Sequence, residues 1–84
     1  MTPYAIKILG FGNFTMQIQF DNNEIREFSA KTIWHHPFWH SLKNKTIFET
    51  AKIDGISISW INEIDIAPED LYELSKPLEA NLVE

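Results

Sequence analysis

The chain has 84 residues, no cysteine, and a formal net charge of −5 from 12 acidic and 7 basic side chains. An apolar share of 44%, with 13% aromatic, excludes a disordered chain, and the acidic balance disfavours a nucleic-acid backbone as partner. Without Cys there is no disulfide or thiolate metal site, so stability rests on a small core worth ~3–5 kcal/mol at this length.

Ala5 to Leu9 reads as a strand that places Ile6 and Ile8 in the core. Gly10-Phe11-Gly12-Asn13 reads as the turn after it, because glycine and Asn tolerate positive φ. Phe14 to Phe20 alternates, with Phe14, Met16, Ile18 and Phe20 on one face and Thr15, Gln17 and Gln19 on the other. Asp21-Asn22-Asn23 is a second turn, and Glu24 to Phe28 is the third strand of an antiparallel meander.

Trp34-His35-His36-Pro37-Phe38-Trp39-His40 follows, an aromatic and histidine cluster around a proline. Pro37 biases His36 away from helix and opens a short helix running to Leu42. Asn44 to Ala51 forms a second, with Ile47, Phe48 and Ala51 inward. Lys52-Ile53 re-enters a strand, Asp54-Gly55 is a hairpin turn, and Ile56, Ile58 and Trp60 alternate inward against solvent-facing Ser57 and Ser59. Ile64 and Ile66 pair briefly with a neighbour.

Pro68 to Leu74 is a helix whose Glu69 and Asp70 suit its positive end. Pro77 stops it. The expected fold is α+β: an antiparallel sheet, made of the meander and a later hairpin, with short helices on one face. It forms one domain over residues 1–76, followed by a frayed tail over 77–84. Its core is Ile6, Ile8, Met16, Ile18, Phe20, Phe28, Phe48, Ile58, Trp60, Leu71 and Tyr72.

Two stretches carry a resemblance. Phe20-Asp21-Asn22-Asn23-Glu24-Ile25-Arg26 is similar to a Phe-Asp-Asn/Asp-Gly-Glu hairpin, with Asn23 in place of the turn glycine. Trp60 and Asp65-Ile66-Ala67-Pro68-Glu69-Asp70-Leu71-Tyr72 form the more specific ending, and Leu42 and Phe48 support the middle. From Tyr4 to Leu74 the chain resembles the bacterial domain-of-unknown-function family 2442, in its stand-alone form. The resemblance implies a small α+β domain with no established catalytic residues. It also implies a gene neighbourhood like that of a toxin–antitoxin pair, and in some relatives a following helix-turn-helix domain. The cluster from Trp34 to His40 is richer in aromatics and histidines than the family pattern.

The residues offer little chemistry. His35, His36 and His40 invite a metal reading, since His36 and His40 would share a helical face and Glu49 or Asp54 could complete a site. Pro37 disturbs that spacing, and solvated histidines around an aromatic anchor are the favoured reading. Glu63, Asp65, Glu69 and Asp70 lack the spacing and glycine of a calcium loop. No serine sits in a nucleophile elbow and no glycine-rich phosphate loop is present.

The expectation is a non-enzymatic protein-interaction module without cofactor, the antitoxin-like or regulatory half of a two-gene pair. The alternative is a small ligand- or metal-binding protein using the three histidines. Trp34, Phe38 and Trp39 are the expected partner-binding anchors, because aromatics dominate binding hot spots. The partner would be another protein, encoded alongside, or a second copy. Specific nucleic acid is not expected. No basic leader and no run of about 18 apolar residues is present, so membrane association is not expected and a cytoplasmic location is.

Overall fold

The computed structural model describes residues 2–78. Its seven strands form two antiparallel sheets. The first contains β1 (Ala5–Gly12), β2 (Thr15–Phe20), β3 (Ile25–Ser29) and β7 (Lys76–Pro77), in that order. The second contains β4 (Lys52–Asp54), β5 (Ser57–Trp60) and β6 (Ile64–Ile66). Two 3₁₀ segments, Ala30–Thr32 and Pro37–Lys43, and the short helix α1 (Lys45–Phe48) connect the sheets. Helix α2 (Pro68–Leu74) follows β6, and the whole is an α+β fold.

The meander forms as its alternation requires. Met16, Ile18, Phe20 and Phe28 are fully buried, and Ile18 pairs with Ile8 on one side and Arg26 on the other. Ile6 departs from expectation. The register of β1 slips between Ala5 and Lys7 and again between Ile8 and Gly10, so Ile6 and Leu9 have no partner on β2. Each is the extra residue of a bulge, and both stand about half exposed. A strict period of two therefore fails on β1: Ala5 is buried, Ile8 half-buried, Ile6 outside.

The first turn also moves. Gly10 and Gly12 lie inside β1, and Asn13-Phe14 makes the turn, with Phe14 at φ 60°. Gly12 lies close to Thr15 across the turn: a Cβ there would sit 2.5 Å from the Thr15 Oγ1 atom, so that hydroxyl would have to swing away. Phe14 still reaches the core edge, packing edge-on to Trp34 at 5.1 Å.

On the second sheet, cross-strand pairs place Ile53, Ile58 and Ile66 on one face, joined by Trp60 and Ile64. Apart from Ile53 at the edge, these side chains are buried. The Trp60 indole donates to the Phe48 carbonyl at 2.9 Å and its ring stacks on Phe48 at 6.4 Å. Leu42 and Leu71 complete the core. Ile56, expected inward, is 57% exposed, because it belongs to the two-residue loop Gly55-Ile56 that closes β4 onto β5.

The tail begins in order. Lys76 and Pro77 pair with Glu27 and Arg26, and the Leu78 N–H donates to the Ile25 carbonyl. The remainder of the stretch expected to fray lies outside the described residues.

Candidate functional site

Two stretches far apart in sequence meet at one end of the meander. Asn23, at φ 73°, turns the chain after β2, and the Asn22 side chain accepts from the Glu24 N–H. This aims Glu24 and Arg26 at the C-terminal end of α2. The Arg26 guanidinium donates to the carbonyls of Tyr72 (3.2 Å) and Ser75 (2.7 Å) and to the Ser75 hydroxyl (2.7 Å). It also pairs with Glu24 at 3.2 Å.

The carbonyls at a helix end have no partners within the helix, and a cation there is doubly favourable. The Tyr72 hydroxyl donates to Glu24. That bond, with a second from Asn22, holds the Glu24 carboxyl below its ordinary pKa, and the same bond raises the Tyr72 phenol. Every polar group here is matched to a neighbour of the same chain, so the cluster is an internal clasp.

The aromatic segment is more embedded than its composition implies. Trp34 is half-buried against Phe14. Trp39 is half-buried, and its indole donates to the Asp65 carbonyl of β6 at 2.9 Å. An outward carbonyl of an edge strand is thereby covered. Phe38 alone of the three is exposed, at 50%, with its ring against Trp39 at 5.3 Å.

The histidines do not converge. His36 precedes the 3₁₀ segment as its cap, and its Nδ1 atom accepts from the Phe38 N–H at 3.2 Å. With ~3.0 residues per 3₁₀ turn, positions four apart do not share a face. His35 and His40 are exposed. Among the described residues no group of three or more His, Cys, Asp or Glu side chains could hold a metal ion. Glu49 instead lies 4.0 Å from Lys45, and Glu63, Asp65, Glu69 and Asp70 are exposed.

A feature missed by sequence reasoning lies on the outer face of the second sheet. Ser57 and Ser59, expected to face solvent, are only 8% and 7% exposed. They do point outward, but they floor a trough between taller neighbours. Lys52 and Asp54 stand opposite them on β4, and Asp65 on β6. Two open recesses of about 420 and 460 Å³ run along this face and share Asp54 and Asp65. The pattern of small residues on β5 facing charged residues on both neighbours was the available signal. Period-two reasoning cannot convert it into depth.

No helix among the described residues is long and apolar enough to cross a membrane. Neither the curated proteins nor the solved structures include a match to this chain. The family described as "Protein of unknown function (DUF2442)" matches residues 9–77, a span that contains the meander from Leu9, the clasp, the aromatic segment and the trough. The chain belongs to that family.

Proposed function

We propose that this chain is a non-enzymatic protein-interaction module, the antitoxin-like or regulatory half of a two-protein pair. The observation that carries the reading is the distribution of exposed apolar side chains. Phe38, Ile56 and Ile61 are each about half exposed around the second sheet, and Ile6 and Leu9 are bulged out of β1. Three of these, Phe38, Ile56 and Ile61, are the most exposed large apolar side chains among the described residues, and each offers a partner apolar area that the fold does not use. The recesses beside them are open troughs, which suit a macromolecular surface better than a small substrate needing most of its area enclosed.

The expected anchors are refined by where they sit. Trp34 and Trp39 each have an internal packing role, which leaves Phe38 as the free anchor of the aromatic segment. The reading is tested by tagging the chain in its native host and isolating it under mild conditions. The expected result is a second protein in stoichiometric amount, encoded beside it, that co-elutes on size exclusion after both are co-expressed. Elution of the chain at monomer size in the presence of each neighbouring gene product would reject the reading.

A further inference from the structure

We propose that the trough on the outer face of the second sheet docks a cationic extended segment of a different protein. This deepens the interaction-module reading and rests on it. The trough follows β5, Ser57–Trp60, ~13 Å of extended chain, and spans two strand spacings, ~10 Å, from β4 to β6. Its floor is Ser57 and Ser59. Asp54, Glu63 and Asp65 line it against a single cation, Lys52. Exposed Ile56 and Ile61 close its two ends.

The two serines differ in a way that points to a ligand. The Ser57 hydroxyl donates to the Ile66 carbonyl at 2.6 Å and is committed. Ser59 is 93% buried, and its hydroxyl has no hydrogen-bond partner among the described residues, whereas no polar side-chain atom sealed from solvent lacks one. The Ser59 hydroxyl therefore opens into the recess it lines, between Lys52 and Asp65. It is a recessed hydrogen-bonding group with Lys52 on one side and the Asp65 carboxylate on the other, in a trough whose ends carry apolar Ile56 and Ile61.

Charge selects the occupant. A second copy would bring the same carboxylates to a two-fold contact, and like charges face to face are unfavourable. An Arg- or Lys-bearing segment satisfies Asp54 and Asp65, reaches the Ser59 hydroxyl, and lays apolar residues on Ile56 and Ile61.

The probe is a labelled peptide of about eight residues, ~26 Å when extended, that alternates Arg and Leu; its control replaces Arg by Glu. The intact chain is titrated with each and followed by amide chemical shifts. The Arg peptide is expected to bind at least ~10-fold tighter than the Glu peptide, with shifts at Lys52, Asp54, Ser59, Ile61 and Asp65, and to weaken with salt. Asp65→Lys should weaken it ~10-fold and Ser59→Ala a few-fold, at unchanged melting temperature.

Equal affinity for the two peptides, shifts confined to β1 or Phe38, or a self-association that Asp65→Lys abolishes would each overturn the proposal. The native complex separates this from the parent reading. If that complex survives Asp65→Lys unchanged, the trough is not the docking surface and the module stands. If no native complex forms while the Arg peptide still binds the trough, the module reading falls and the cation-binding surface stands.

Discussion

Arg26 lies over the ring of Tyr72, its guanidinium carbon 4.1 Å from the ring centre, while the same guanidinium takes the Tyr72 carbonyl. One side chain thus joins the second hairpin to the end of the last helix, across 46 residues of sequence. Its planar fork makes both contacts possible, and the Arg26 side chain is only 11% exposed.

Arg26→Ala should therefore cost ~2–3 kcal/mol in urea unfolding, because it leaves the Ser75 carbonyl without its donor and removes one of the donors to the Tyr72 carbonyl, which keeps the Ser75 hydroxyl. Arg26→Lys should recover less than half of that, since an ammonium with three N–H donors cannot serve four acceptors and lie over a ring face together. Full recovery by Lys would show that charge alone mattered.

The clasp should also shape the pH dependence of stability. Tyr72 and Asn22 hold Glu24 below its ordinary value of 4.5. The unfolded chain then binds a proton before the folded one, so this stability is present above pH 4.5 and is lost as pH falls through the lowered folded value. Tyr72 works in the opposite direction. Its phenol is raised above 10.0, chiefly by donating to Glu24, so its contribution is present below that pH and is lost as pH rises toward the folded value. Glu24→Gln should flatten the acid limb and Tyr72→Phe both limbs of a melting-temperature profile. Unchanged limbs would mean that solvent screens the pair.

Trp39→Phe should cost ~1 kcal/mol by removing the indole donor from the Asp65 carbonyl. Phe38→Ala, at an exposed ring, should change stability by less than ~0.5 kcal/mol. Chemical denaturation of the two variants checks this order, and a reversal would place Phe38 in the core.

Phe48 is fully buried and meets Phe11, Phe14 and Trp60. Phe48→Ala should cost ~3–5 kcal/mol, which is comparable with the whole stability of so small a domain. The expected outcome is loss of dispersed amide signals at 25 °C. A folded spectrum would show a larger stability reserve.

Local pattern determined a good deal of this protein. Strict alternation set β2, because the burial of one face leaves no alternative register for Met16, Ile18 and Phe20. Pro68 with Glu69 and Asp70 set the start of α2, and the hairpin at Asn23 was legible because Asn tolerates the left-handed region. Of the two motif stretches that carried the family resemblance, the first supplies Asn22, Glu24 and Arg26 to the clasp and the second supplies Tyr72.

Tertiary structure decided the rest. Bulges on β1 depend on pairing with β2, so Ile6 went outward although its neighbours look equivalent in sequence. Whether Gly12 lay in a turn or in a strand close to Thr15 depended on the same pairing. Trp39 was held by a carbonyl 26 residues away, and a serine strand became the floor of a trough only when charged strands settled on both sides. Period and propensity act over a few residues; depth, edges and the partners of polar atoms are set by what the chain brings back from a distance.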